Sequence, residues 1–256
     1  MAGGDQDDLW IRRFHPAGSA GQRLVCLPHA GGSAAFFRPL SAALAPETDV
    51  LSVQYPGRQD RRSTPGMTDL HELARGVADA LGRWRDRPLV LLGHSMGATL
   101  AFEVARLLED RGTPVAGVIA SGRRAPGRHR ESAVHQLADD GIVAELRRLS
   151  GTDASLLGDD ELVRMILPAI RSDYRAIESY RCLPGATIAA PITVLTGDAD
   201  PQTTADEASS WRDHTRSECV VLTFPGGHFF ISEQATAVVT AVRGVLRDLR
   251  EVVPGR

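Results

Sequence analysis

Residues Gly93-His94-Ser95-Met96-Gly97 constrain this chain more than any other segment. The pentapeptide follows an apolar run, Pro88-Leu89-Val90-Leu91-Leu92, and precedes a helically patterned stretch from Ala98 to Arg111. A strand, a turn with glycine on both sides of a serine, and a helix make a sharp elbow, because only glycine fits beside the serine without a clash against neighbouring backbone. Such an elbow holds the serine hydroxyl above the edge of a sheet, where it serves as a nucleophile. The bare G-x-S-x-G pattern is common; its setting between an apolar run and a helix gives it weight here.

The rest of the chain supplies a sheet to carry that elbow. Strands are expected at 10–15, 24–27, 50–54, 89–92, 115–120, 192–196 and 220–224. The central runs are continuously apolar, as parallel strands buried on both faces require. Helical patterns separate them. Leu70, Leu73, Val77, Leu81 and Trp84 fall on one face behind a capping pair, Asp69 and Glu72. Val238, Val242, Val245 and Leu249 form the stripe of a last helix, with Ser232 as the expected N-cap. Alternating strands and helices over 256 residues imply a single α/β domain, 1–256, with a mostly parallel sheet flanked by helices. One stretch breaks the rhythm. After the turn-rich segment Gly122 to Arg128 come two helical patterns, Leu137, Ile142, Val143, Leu146 and Leu149, then Leu162, Ile166, Ile170, Tyr174 and Ile177. We read 122–189 as a helical cap inserted over the carboxyl ends of the strands, the side on which open α/β sheets place their sites. Plain extra packing on the sheet is the simpler alternative.

Composition excludes several chemistries. All 29 basic residues are arginine, so a lysine Schiff base and a Walker P-loop are both ruled out. A net charge of −3 argues against a general nucleic-acid binder. No apolar run approaches the roughly 20 residues that span a bilayer, and the polar stretch Met1 to Asp8 lacks the chemistry of a signal peptide. Three cysteines far apart in sequence, Cys26, Cys182 and Cys219, suit a reducing compartment, and a cytoplasmic location is expected. There is no H-E-x-x-H and no Cys/His cluster of ligand spacing, so no metal and no cofactor is expected.

A serine hydroxyl needs a base, and the base needs a carboxylate to hold its tautomer. In elbow-bearing α/β folds these follow in the order serine, acid, histidine. Of eight histidines, His228 is best placed: it follows Gly226-Gly227 after the last strand and precedes the last helix. The acid comes from Gly197-Asp198-Ala199-Asp200-Pro201 at the end of the sixth strand. Pro201 biases Asp200 towards an extended backbone, so Asp200 is preferred, with Asp198 kept as the alternative. After the first core strand, Pro28-His29-Ala30-Gly31-Gly32-Ser33 carries small residues that leave backbone N–H groups free. The amides of Ala30 and Met96 are the candidate oxyanion donors. His29 is read as shaping this loop.

Five segments together carry a resemblance: Pro28-His29-Ala30-Gly31-Gly32, Gln54-Tyr55-Pro56-Gly57-Arg58, Gly93-His94-Ser95-Met96-Gly97, Gly197-Asp198-Ala199-Asp200-Pro201 and Gly227-His228-Phe229-Phe230. With them the chain, from about Trp10 to Leu249, resembles the type II thioesterases of polyketide and nonribosomal peptide synthesis, which have the α/β-hydrolase fold. The resemblance implies hydrolysis of acyl groups from the phosphopantetheine thiol of acyl or peptidyl carrier proteins through an acyl-Ser95 intermediate. The carrier protein is expected to be a transient partner, no cofactor is expected, and since nothing in the chain demands an obligate dimer a monomer is expected. An acyl chamber is then expected between Ser95 and the cap, with His29, Phe36, Phe37, Met96 and Tyr174 as candidate walls. Arg123 and Arg124, with Arg128 and Arg130, are candidates for docking an acidic carrier; a solvated charge run is the plainer reading. Arg58, Arg61 and Arg62 form a second basic cluster of the same ambiguity. A general esterase, an acyltransferase and a non-catalytic binding module are the rivals.

Overall fold

The computed structural model describes residues 9–149 and 160–252. Met1 to Asp8, residues 150–159 of the expected cap, residues 253–256 and the side chain of Leu162 lie outside the described residues. Seven strands form one sheet: β1 Ile11–Arg12, β2 Arg23–Leu27, β3 Asp49–Val53, β4 Leu89–His94, β5 Gly117–Ser121, β6 Ile192–Gly197 and β7 Cys219–Phe224. Their order is β1-β3-β2-β4-β5-β6-β7, parallel throughout except that β1 runs antiparallel to β3. The helices are α1 Arg38–Leu44, α2 Leu70–Ala80, α3 Met96–Asp110, α4 Asp139–Arg148, α5 Asp160–Ser179, α6 Ala205–Ser209, α7 Phe230–Glu233 and α8 Ala235–Val252. This is the α/β-hydrolase arrangement. None of the described helices is long and apolar enough to cross a membrane.

The strand pattern explains why helices sit on both faces. Along β4, Leu89 and Leu91 enter one core while Val90 and Leu92 enter another; β2 repeats this with Val25 and Leu27 against Leu24 and Cys26. Successive side chains of a strand point to opposite faces, so an unbroken apolar run needs a cover on each. Leu70, Leu73 and Val77 of α2, with Leu100, Val104 and Leu108 of α3, close the first core. Leu40 and Leu44 of α1, with Val238, Val242 and Leu246 of α8, close the second. Each such side chain contributes about 1.5–3 kcal/mol by leaving water. β4 lies at the centre of the sheet, so the turn that follows it is held from both sides.

The excursion between β5 and β6 has its own small core, where Ile142 and Leu146 of α4 meet Leu167 and Ile170 of α5. Helix α5 runs over the loops that follow β2 and β3: Ile170 lies against Gly31 and Ala169 against Gly57.

Three details differ from the sequence reading. The first strand shrinks to two residues, because a polar edge segment rich in arginine pairs only at Ile11 and Arg12. Ser232 is not the cap of the last helix: it lies inside the short α7, which ends at Gln234 (φ −105°, ψ 34°) before α8 begins. Leu137 precedes α4 and is 43 % exposed, since that helix starts at Asp139 with two aspartates at its positive end.

Candidate active site

The elbow is set by sterics at two glycines. A Cβ on Gly93 would overlap the Gly97 carbonyl, and a Cβ on Gly97 would overlap the Leu27 carbonyl of β2. Between them Ser95 is driven to φ 56° and ψ −119°, a conformation that a side-chain-bearing residue rarely adopts. The turn is stitched to the sheet by Ser95 N–H, which donates to the Ser121 carbonyl at 2.8 Å, and helix α3 starts at the next residue.

Two further loops meet this hydroxyl. His228 Nε2 lies 3.0 Å from Ser95 Oγ, and its Nδ1 lies 3.1 and 3.0 Å from the two carboxylate oxygens of Asp200. A carboxylate only accepts, so Nδ1 carries the proton and Nε2 is left to accept from the serine. His228 and Asp200 are both buried. Asp200 Oδ1 also accepts from Gln202 N–H at 2.8 Å, the local turn that Pro201 begins. Asp198 is exposed and does something else: its Oδ1 accepts from Gly226 N–H at 2.9 Å, while Ala199 N–H donates to the Gly226 carbonyl at 3.0 Å. Asp198 therefore ties the histidine loop to the acid loop.

The loop after β2 faces the elbow. Met96 opens α3, so its N–H has no carbonyl one turn back to donate to, and Ala30 N–H has no acceptor among the described residues. The loop is braced from outside by the second motif. Gln54 Oε1 accepts from Ala34 N–H at 2.8 Å, Tyr55 OH donates to the Pro28 carbonyl at 3.1 Å, and Arg58 Nε donates to the Gly32 carbonyl at 3.3 Å. Asp173 of α5 completes the brace: one carboxylate oxygen accepts from Gly31 N–H at 2.7 Å and from the Arg58 guanidinium. Asp173 and Arg58 are 1 % and 5 % exposed, a buried pair. Burial pushes Arg58 down to about 10, against the upward pull of the Tyr55 oxygen.

Three imidazoles stand together here. His94 and His228 are 5.2 Å apart between ring centroids, and His29 packs edge-on against Phe36 at 4.6 Å and Phe229 at 4.9 Å. Burial, then His228, then Arg58, hold His29 down to about 3. Burial, then His228 and His29, hold His94 well below the usual imidazole range, with Nδ1 3.0 Å from Ser121 Oγ. Both rings stay neutral beside His228, so neither adds a positive charge when His228 takes a proton.

The remaining sequence candidates separate. Phe36 is partly exposed and touches His29 and His94. Phe37 is 1 % exposed in the second core with Leu24 and Leu40; its position after the loop turns it inward, and it packs as core. The Met96 side chain is likewise core. Tyr174, Arg123 and Arg124 line a cavity of about 500 Å³ between the α4–α5 excursion and the ends of β5 and β6. Arg124 is buried and donates to the Gln202 carbonyl at 2.9 Å, and Arg123 faces the cavity, which removes both from an open docking surface. Arg58 and Arg61 are buried as well, so of the second basic cluster only Arg62 is exposed and the other two brace the loops. Sequence reasoning missed Asp173. Its signal was an acid on the apolar stripe of α5, three residues after Ile170 and four before Ile177.

Comparison with known proteins extends over this whole assembly. A model of the thioesterase domain family matches residues 22–246. The "Probable cadicidin biosynthesis thioesterase" of Streptomyces griseus is 53% identical over 241 residues, 94% of this chain and 67% of that protein. Thioesterase PikA5 of Streptomyces venezuelae is 50% identical over 228 residues, 88% of this chain and 81% of that one. The solved structure of the type II thioesterase BorB from the borrelidin biosynthetic cluster superposes with a TM-score of 0.87 at 50% identity, covering 93% of this chain and 97% of that one. A match running from the first core strand into the last helix, with half the residues shared, leads to one conclusion: this chain belongs to the thioesterase domain family.

Proposed function

We propose that the chain is an editing thioesterase that clears acyl groups from the phosphopantetheine thiol of acyl or peptidyl carrier proteins, with Ser95, His228 and Asp200 as its catalytic triad. The observation that carries this reading is the unbroken hydrogen-bonded line from Asp200 through His228 to a serine held at positive φ. His228 Nε2 takes the Ser95 proton as Ser95 Oγ attacks the thioester carbonyl. Asp200 keeps Nδ1–H in place and stabilises the imidazolium. The amides of Ala30 and Met96 receive the oxyanion, each worth roughly 3 kcal/mol in the transition state. The pantetheine thiol departs with the proton from His228. Water then attacks acyl-Ser95 with His228 again as base, releasing the acid.

In this reading, residues 122–189 act as the cap, and the acyl group lies between Ser95 and α5. The relatives named for biosynthetic clusters support a carrier-bound substrate met transiently, and the three free cysteines fit a reducing, cytoplasmic location. Mass spectrometry of acylated carrier proteins tests substrate and nucleophile together. The wild type is expected to restore the free thiol, and Ser95→Ala to lose at least about a thousandfold in rate. Equal clearance by both would overturn the mechanism; clearance of simple oxyesters but not of acyl carriers would overturn the substrate.

A further inference from the structure

The cavity beside the triad contains an unanswered charge. It adjoins the catalytic elements on three sides: Thr99 is one helical turn beyond Ser95 on α3, Arg123 follows the strand whose Ser121 carbonyl holds Ser95 N–H, and Pro201 and Gln202 follow Asp200. Six arginines line it, and five are engaged. Arg124 donates to the Gln202 carbonyl at 2.9 Å, Arg128 to Ser210 at 2.9 Å, Arg130 to Glu207 at 2.8 Å, Arg148 to Glu145 at 2.7 Å and Arg181 to the Tyr180 carbonyl at 2.8 Å. The Arg123 guanidinium has no hydrogen-bond or ion-pair partner among the described residues; only its backbone carbonyl is used, by Trp211 Nε1 at 2.8 Å. Tyr174, across the cavity on α5, likewise has a hydroxyl with no acceptor among the described residues, and it lies close enough to Arg123 for the two to act on each other electrostatically.

A guanidinium shielded from water and left without an acceptor is costly, and a site tolerates it where a ligand supplies the acceptor. Burial, then Arg124, push Arg123 down to about 9, so it remains charged at neutral pH. Apolar neighbours such as Ala125, Pro126 and Ile177 share the same walls. A cavity of about 500 Å³ of mixed polar and apolar lining, with two convergent donors, is suited to a short chain ending in a carboxylate.

We propose that Arg123 and Tyr174 form an acyl-recognition subsite that selects acyl groups bearing a carboxylate remote from the thioester, of the dicarboxylic monothioester class. This rests on the thioesterase reading above and adds the substrate class to it. The same donors could instead read the phosphate of the pantetheine arm, and the test separates the two sources.

The test compares glutaryl and valeryl thioesters, equal in acyl length, each carried on pantetheine and on phosphopantetheine. The wild type is expected to favour glutaryl by about tenfold or more in kcat/KM on both carriers. Arg123→Met should collapse that ratio at least tenfold, Tyr174→Phe several-fold, and Arg123→Lys should restore part of it. A ratio taken on one preparation is insensitive to partial misfolding. An unchanged ratio in Arg123→Met overturns the subsite, as does an Arg123 effect that follows the phosphate and not the acyl carboxylate. Hydrolysis of neither thioester by the wild type overturns the thioesterase reading and this inference together, which distinguishes that failure from a ratio that fails to move.

Discussion

The rim of the sheet and the α4–α5 excursion are built by different means. At the rim, backbone does the positioning: glycines pressed against carbonyls, an amide–carbonyl bond from Ser95 to Ser121, and paired bonds between the acid and histidine loops. The excursion is attached through side chains. Asp173 reaches the loop after β2, Glu178 accepts from Val134 N–H at 2.8 Å and lies 2.5 Å from His135 Nδ1, and four buried apolar residues make its core. Its surface leaves Met165 54 % exposed. Backbone-set geometry holds reacting atoms within tenths of an ångström, whereas side-chain attachment tolerates exchange of residues and hence of substrate. The proposed chemistry sits on the first kind of scaffold and the proposed acyl recognition on the second.

The hardest break falls at the rim. Gly97→Ala places a methyl group on the Leu27 carbonyl, where backbone and not a flexible side chain must give way. A loss of about 4 kcal/mol or more in urea unfolding is expected, enough to unfold a marginal domain. Gly244→Ala in α8, with open space at its Cβ, serves as the reference and should stabilise by about 0.5–1 kcal/mol. Similar behaviour of the two variants would remove the claim that the elbow is sterically dictated.

The seam between the two regions is sensitive to acid. His29 takes a proton near 6.5 in the unfolded chain but only near 3 in the folded one. Between those values the unfolded state binds more protons, so stability falls as pH falls. The loss is about 1.4 kcal/mol per unit, or about 2 kcal/mol from His29 by pH 5. His94 acts in the same direction. His29→Gln should therefore lose less stability than the wild type between pH 7.5 and 5. Parallel denaturation curves for the two would show that the His29 ring is protonated in the folded protein.

What could be read in the chain follows the same division. The meeting of Ser95, Asp200 and His228 at one rim was legible because each follows a strand end, and parallel strands deliver their carboxyl ends to one side. Asp200 stood out from Asp198 through Pro201, a local backbone effect. Side-chain attachments leave no such local trace. Asp173 pairs with residues 115 and 142 positions earlier, and nothing near it in sequence names Arg58 or Gly31. Phe36 and Phe37 are adjacent and chemically alike, yet one touches the histidines and the other fills the core, a choice made by the turn into α1. Arg123 and Arg124 looked like surface charge because pattern alone does not reveal the excursion folding over them.

The link across the seam can be cut at one atom. Asp173→Asn keeps an oxygen for Gly31 N–H but gives up the charge that answers Arg58, leaving a buried guanidinium without its carboxylate. If Asp173 positions the loop that carries the Ala30 amide, kcat for a small thioester should fall about tenfold while KM barely moves, because the oxyanion forms only in the transition state. Replacing both partners, Arg58→Met with Asp173→Leu, should recover stability, since an apolar pair of similar volume removes the stranded charge. It should not recover kcat, because leucine removes the acceptor of Gly31 N–H. Recovery of both together would make the pair a packing device alone. A KM effect without a kcat effect would move its role from the oxyanion loop to the acyl side of the excursion.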